Sequence, residues 1–156
     1  MVSLESYLGS ETLVLFWNPH CGFCNNMLRE LKAWEANIPA GAPKLLVVST
    51  GSVEDNRATG LSSPVVLDSS FSARAAFGVN GTPSAVLVDS EGKIASEVAV
   101  GAYAVLKLTH GGSAALRVSR KNRGKAMQGE RFDQITRTIS TILTPRAVGW
   151  SCFSGQ

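Results

Sequence analysis

The sequence predicts an α/β domain with a mixed central sheet and helices on both faces. Short apolar strands alternate with helical segments along the first part of the chain, and strands joined through a helix run parallel. Near residue 90, two further extended segments flank a tight turn, which is how antiparallel strands are joined. A sheet that contains both kinds of connection has to be mixed.

The first half of the chain predicts two strands, each followed by a helix. Residues 11–17 form a short apolar run rich in strand formers, typical of a central strand covered on both faces. From Gly22 to Ala36 apolar residues recur every three or four positions, which predicts a helix with one buried stripe. Lys44–Ser49 is predicted as a second buried strand. Residues 51–57 begin with a serine and acids suited to a helix N-terminus.

The second half predicts a further crossover and then a hairpin. Residues 64–68 are predicted as a short extended piece, followed by a helical stretch over residues 71–77. Ser84–Val88 and residues 94–100 are expected to pair as a hairpin, because the acids and glycine between them favour a tight turn. Residues 102–109 are expected to form a last helix.

Length, composition and cysteine number exclude several classes of protein. A chain of 156 residues can bury a sizeable core, and its 44% hydrophobic and 17% charged residues are ordinary for a globular protein. No apolar stretch approaches the ~20 residues needed to cross a bilayer. Residues 1–8 carry no signal-peptide pattern, although a leader removed upstream would leave the same start. Three cysteines are too few for a dense disulfide scaffold.

The charge distribution suggests a boundary near residue 109. Residues 1–109 hold 7 Lys and Arg against 10 Asp and Glu, a net −3, whereas residues 110–156 hold 8 against 2, a net +6. We predict a domain over residues 1–109 and a basic, partly flexible tail over residues 110–156 that can form a short helix over residues 132–143. Contact of the tail with a membrane surface or a partner stays open, and no nucleic-acid partner is expected.

Cys21 and Cys24 are the residues that suggest chemistry. Cys21 lies at the predicted strand-to-helix junction, where unsatisfied N–H groups and the helix dipole favour the thiolate. Two intervening residues turn the chain through less than one helical turn, so Cys24 is within bonding distance of the Cys21 sulfur. The expected chemistry is attack by the Cys21 thiolate on a substrate disulfide, after which Cys24 resolves the mixed disulfide.

Two other interpretations of the pair are weaker. A CxxC pair can be half of a zinc site, but the remaining soft ligands are His20, His110 and Cys152, and no second CxxC is present in the sequence. Inert buried cysteines have no need of a strand-to-helix turn. We therefore expect no metal and no cofactor, and interpret Cys152 as a free thiol.

The segment Gly81-Thr82-Pro83 directly precedes the predicted hairpin. A proline at the start of a strand has no N–H to donate to the hydrogen-bond ladder of a sheet. The cis form of an X-Pro peptide bond costs only about 0.5–1 kcal/mol relative to the trans form. Pro83 is therefore a candidate for a cis bond, and a trans proline that starts the strand is the alternative.

These residues carry a resemblance to the thioredoxin superfamily. Residues 16–24, Phe-Trp-Asn-Pro-His-Cys-Gly-Phe-Cys, resemble its FWxxxCxxC segment, and residues 81–83 resemble its cis-proline loop, in the expected order. Residues 65–68 together with residues 77–89 are most similar to the TlpA-like and AhpC/TSA-related branch. The resemblance covers residues 11–103 and implies a thioredoxin-like fold.

The resemblance also implies roles for individual residues. Cys21 would be the exposed nucleophile and Cys24 the buried resolving thiol. Pro83 would pack beside the pair, and Thr82 would offer its backbone to a substrate chain. Trp17 would shape the surface around Cys21, or else be a packed aromatic at the end of a strand.

The sequence departs from the family at its proton acceptors. Leu15 stands where many thioredoxins carry a buried acid, and Met27 stands where some cytochrome-maturation relatives carry a glutamate. His20, directly before Cys21, is the nearest titratable group, and it either assists proton transfer or faces solvent as a bystander.

Together these observations predict a monomeric thiol-disulfide oxidoreductase that acts on protein thiols and receives electrons from an upstream thiol-disulfide donor. The resemblance implies the bacterial periplasm or cell envelope, and the cytoplasm is the alternative. The alternative function is a thioredoxin-like docking module of a larger assembly, without catalytic turnover.

Overall fold

The computed structural model describes residues 4–110. Apart from His110, the predicted tail therefore lies outside the described residues, together with its helix over residues 132–143 and Cys152. Among residues 4–110, no helix is both long and apolar enough to cross a membrane.

Strands and helices alternate as the sequence predicts, after a short 3-10 helix over Leu4–Tyr7. The elements that follow are β1 (Thr12–Trp17), α1 (Gly22–Ala36), β2 (Lys44–Ser49), α2 (Val53–Thr59), β3 (Val65–Leu67), α3 (Ser72–Ala76), β4 (Ser84–Val88), β5 (Ala99–Val100) and α4 (Ala102–Thr109). The predicted bounds of α1, β2, β4 and α4 agree with the structure at both ends.

The five strands form one mixed sheet in the order β3-β2-β1-β4-β5. β1 runs parallel to β2 and antiparallel to β4, so the central residue Val14 is paired with Leu46 on one side and Val86 on the other. β3 runs parallel to β2, and β5 runs antiparallel to β4. The predicted mixed sheet is confirmed.

Helices cover both faces of the sheet, as predicted. On one face, Leu13 and Leu15 of β1 pack in a cluster with Leu31 of α1 and Leu108 of α4. On the other face, the neighbouring β1 residue Phe16 stacks on Phe77, which follows α3, with ring centroids 5.5 Å apart. Because successive side chains of a strand point to opposite faces, an uninterrupted apolar β1 serves both clusters.

The predicted strand over residues 94–100 is wrong in extent. The structure forms β5 over Ala99–Val100 and an isolated bridge between Val88 and Ile94. Between the pairs Ala85–Ala99 and Val88–Ile94, β4 has two residues and the opposite segment has four, so two residues bulge out. The hydroxyl of Ser96 accepts the Leu87 N–H at 2.9 Å within this bulge.

The helix predicted from residue 51 begins two residues later, because Ser52 is its N-cap. The Asp55 N–H donates to Ser52 Oγ at 3.0 Å, and the Ser52 N–H donates to Asp55 Oδ2 at 3.2 Å. This reciprocal capping box satisfies N–H groups at the helix N-terminus and fixes the Asp55 carboxylate in place.

Candidate active site

Cys21 lies where the sequence places it, at the junction between β1 and α1. It is the N-cap of α1, with φ −85° and ψ 120°, and its N–H donates to the Asn18 carbonyl at 3.0 Å. The Cys21 carbonyl accepts the first helical hydrogen bond, from the Asn25 N–H at 3.0 Å. The sulfur is thereby held over the start of the helix, half-buried.

The pKa of the Cys21 thiol is lower than its ordinary value. Burial is the largest single influence and acts in the opposite direction, but hydrogen bonds to the sulfur together outweigh it. They come from the backbone N–H of Cys24, the Thr82 side chain, the Cys24 thiol and the backbone N–H of Phe23. The sulfur forms no side-chain capping bond of ordinary length, so these N–H groups act on it at longer range.

Cys24 differs from Cys21 in its burial and in the direction of its pKa shift. Its side chain is fully buried in the core cluster beneath α1. Burial is the main reason that the pKa of its thiol is raised to about 11, and the nearby charge of Cys21 adds to this, against the lowering effect of the Asn18 backbone and the Thr82 side chain. A buried sulfur whose pKa is raised therefore lies near an accessible sulfur whose pKa is lowered.

Thr82 and Pro83 lie directly beside this pair. The Cys21 thiol donates to the Thr82 carbonyl at 3.4 Å, and the Thr82–Pro83 bond is cis, one of the two isomers that the sequence leaves open. Pro83 is buried, and its carbonyl accepts the Gly101 N–H at 2.9 Å. Thr82 is half-buried, so part of it stays accessible next to Cys21.

Trp17 does not lie at the surface. Its side chain is 0% exposed and packs in the same core cluster as Cys24. The expectation that it shapes the surface around Cys21 is therefore corrected to the alternative, a packed aromatic at the end of β1. The exposed aromatic beside the nucleophile is instead Phe23, 72% exposed, between the two cysteines.

His20 is paired with Asp55, a contact that no sequence pattern predicts. Its Nε2 lies 3.2 Å from Asp55 Oδ2, in the first turn of α2. Both side chains are accessible, at 69% and 37% exposure. The acids in the first turn of α2 were predicted to stabilise its N-terminus, and nothing in the spacing of residues 35 apart indicates that one of them reaches the loop before Cys21.

The described residues hold no candidate metal site. Among residues 4–110, no group of three or more His, Cys, Asp and Glu side chains is arranged to bind a metal ion.

Three solved structures share this fold. The thioredoxin domain of a thiol-disulfide oxidoreductase from Bacteroides vulgatus is 25% identical, with 70% of this chain and 84% of that chain covered and a TM-score of 0.55. An exposed lipoprotein thioredoxin from Streptococcus pneumoniae is 21% identical, with 69% and 89% covered and a TM-score of 0.54. A secreted disulfide oxidoreductase from Mycobacterium tuberculosis is 23% identical, with 57% and 69% covered and a TM-score of 0.50. The fold is thioredoxin-like, as the motifs implied.

A family model gives the more specific result. No curated protein sequence matches the chain significantly. The model described as the AhpC/TSA family matches residues 1–97 of the 156, which include both cysteines and the Thr82–Pro83 bond. The chain therefore belongs to the AhpC/TSA family.

Proposed function

We propose that this protein is a thiol-disulfide oxidoreductase that exchanges disulfides with protein thiols through Cys21 and Cys24. The observation that carries the proposal is the placement of two neighbouring thiols at the N-terminus of α1, one accessible and one buried, whose pKa values are shifted in opposite directions. The nucleophile of thiol-disulfide exchange is a thiolate, so a lowered pKa and partial exposure make Cys21 the attacking sulfur. A buried thiol with a raised pKa stays protonated until a mixed disulfide forms beside it.

Of the protein's own groups, the exchange requires only the sulfurs of Cys21 and Cys24. The Cys21 thiolate attacks one sulfur of a substrate disulfide, a new S–S bond forms, and the other substrate sulfur leaves with the electron pair and takes up a proton from water. Cys24 then loses its proton to water and attacks Cys21 Sγ, which releases the second substrate thiol. Two electrons have passed to the substrate, and an upstream dithiol restores the reduced pair. In the reverse direction the protein oxidises a dithiol.

The substrate chain is proposed to lie against Thr82 and Pro83. The Thr82 carbonyl is 3.4 Å from the Cys21 sulfur, so a peptide whose cysteine is bonded to Cys21 passes directly over it. An extended peptide can form backbone hydrogen bonds to such a segment in the manner of an added strand. We propose no contact through Trp17, because it is fully buried.

We also propose that residues 1–109 form the catalytic domain and that the protein acts as a monomer in the bacterial cell envelope. Envelope location is supported by the descriptions of the similar structures from Streptococcus pneumoniae and Mycobacterium tuberculosis as an exposed lipoprotein and a secreted protein. Fractionation of the source cells tests the location, and recovery with the cytoplasmic fraction would contradict it.

The activity is tested with the full chain by insulin reduction in the presence of dithiothreitol. We expect the wild type to accelerate the reaction and Cys21→Ser to abolish the acceleration. Cys24→Ser should accumulate a mixed disulfide with insulin, visible on a non-reducing gel. Cys152→Ser is the matched control and should retain the wild-type rate. A wild type that does not accelerate the reaction would favour a docking module over an enzyme.

A further inference from the structure

The loop between β1 and Cys21 is attached to α2 by two contacts. His20, the last residue of this loop, donates through Nε2 to Asp55 Oδ2 at 3.2 Å. The ring of Pro19 packs so closely on Gly51 that a Cβ atom added at residue 51 would collide with it. The loop is thus fixed against the β2–α2 connection as well as against its own helix, where Asn25 Nδ2 donates to the Pro19 carbonyl at 3.1 Å.

Asp55 is well placed to hold His20, because its own position is fixed. It is the third residue of α2 and forms the capping box with Ser52. The Ser52 N–H and hydroxyl both donate to the same oxygen that binds His20. Hydrogen bonds from Ser52 are the main reason that the pKa of Asp55 is lowered, so the carboxylate stays charged towards the imidazole.

His20 and the Cys21 sulfur are directed to opposite sides of β1. His20 reaches α2, which follows β2, whereas the Cys21 thiol donates to Thr82, which precedes β4. In the sheet, β2 and β4 lie on opposite sides of β1. His20 is therefore not aimed at the sulfur, and any effect it has on Cys21 passes through the backbone that the two residues share.

We propose that Asp55, acting through His20, is a positioning residue that holds the Cys21 sulfur over the N-terminus of α1. The backbone angles of Cys21 decide whether its sulfur faces the N–H groups of Phe23 and Cys24, and these angles follow directly after His20. Freed from Asp55, the loop can rotate, and the sulfur loses part of its thiolate-stabilising contacts. The inference rests on the proposed role of Cys21 as the nucleophile.

The test is the rate at which iodoacetamide alkylates Cys21 in the full chain, followed by peptide mass spectrometry from pH 5 to 9. This rate reports the thiolate directly and requires no disulfide turnover, so its result is separate from that of insulin reduction. We expect Asp55→Ala and His20→Leu each to slow alkylation at pH 7 by about three-fold and to move the profile to higher pH. The double variant should be no slower than either single variant, because both remove the same contact.

Two controls separate positioning from other effects. Glu54→Ala truncates the neighbouring acid of the same helical turn and should leave the rate within about 1.5-fold of wild type, as surface charges contribute little. His20→Gln can still donate to Asp55 and should be faster than His20→Leu. An unchanged profile in His20→Leu, additive losses in the double variant, or equal losses in the Gln and Leu variants would overturn the proposal. The last result would instead make His20 a proton acceptor.

Discussion

The sulfur of Cys21 and the carbonyl oxygen of Thr82 lie 3.4 Å apart, although 61 residues separate them in the chain. The contact exists because β4 pairs with β1 in antiparallel register, so the segment that leads into β4 meets the residue that follows β1 and its loop. The Thr82 side chain also lowers the pKa of both thiols. The pairing of β1 with β4 thus places Thr82 beside the reactive sulfur at the N-terminus of α1.

Thr82→Val is expected to reduce the reactivity of Cys21. The valine keeps the shape of the side chain but has no hydroxyl to donate to the thiolate, so the pKa of Cys21 should rise towards its ordinary value. A hydrogen bond to a charged group is among the stronger ones, and we expect alkylation at pH 7 to slow by roughly three-fold. Thr12→Val removes a hydroxyl at the opposite end of β1 from Cys21 and serves as the control. Equal rates in wild type and Thr82→Val would show that the hydroxyl plays no part.

Cys24 should make the protein less stable at high pH. Its pKa is about 11 in the folded protein against 9.0 for the ordinary thiol, so the folded state holds this proton more tightly than the unfolded state. The resulting stabilisation is complete below pH 9 and is lost as the pH rises through 11, because ionisation then favours unfolding. We expect up to about 2 kcal/mol, somewhat less than the roughly 2.7 kcal/mol to which a two-unit difference in pKa corresponds.

The measurement is urea unfolding of wild type and Cys24→Ala at pH 8 and pH 10.5. The free energy of unfolding should fall more steeply with pH in the wild type. Cys21 has the opposite sign, because a lowered pKa stabilises the folded state only above the folded pKa. The Cys24 thiol contributes to that lowering, so the loss of this contribution in Cys24→Ala works against the expected difference and cannot produce it. Parallel pH dependences would contradict a raised pKa at Cys24.

The elements that the sequence predicts correctly are those whose signal is local. The apolar run of β1 and the buried stripe of α1 are encoded within one segment each, and the place of Cys21 between them follows directly. The lowered pKa of Cys21 follows in part, since a helix N-terminus stabilises a thiolate wherever it occurs.

Contacts between segments that are distant in the chain could not be predicted from the sequence. The bulge opposite β4 depends on a Ser96 hydroxyl that accepts a ladder N–H, and a hydrophobic pattern does not encode this. The burial of Trp17 and the His20–Asp55 contact depend on how α1 and α2 are placed on the sheet. Pattern analysis fixes which face of an element is buried, but not which polar side chains meet across two elements.

Thr12→Val is expected to stabilise the protein. The Thr12 side chain is 3% exposed and, within residues 4–110, its hydroxyl has no hydrogen-bond partner. Valine has nearly the same volume, prefers strands and removes a buried unpaired hydroxyl, so we expect a gain of about 1 kcal/mol in urea unfolding. Thr59→Val is the matched comparison, because its buried hydroxyl donates to the Asn56 carbonyl at 2.6 Å and its loss should destabilise by about 1 kcal/mol. Changes of the same sign in both variants would contradict this account.

Gly51→Ala should affect stability and reactivity together, because residue 51 has no room for a side chain. The new Cβ would overlap the Pro19 ring, and the nearest way to relieve the overlap is to move the loop that carries His20 and Cys21. We expect a loss of about 1–3 kcal/mol in the free energy of unfolding, and slower alkylation of Cys21. Gly22→Ala is the comparison for stability, since nothing lies within 4 Å of its Cβ position in the first turn of α1, where alanine should stabilise. A Gly51→Ala protein that is destabilised but alkylates at the wild-type rate would show that the strain is absorbed by α2 and not by the loop before Cys21.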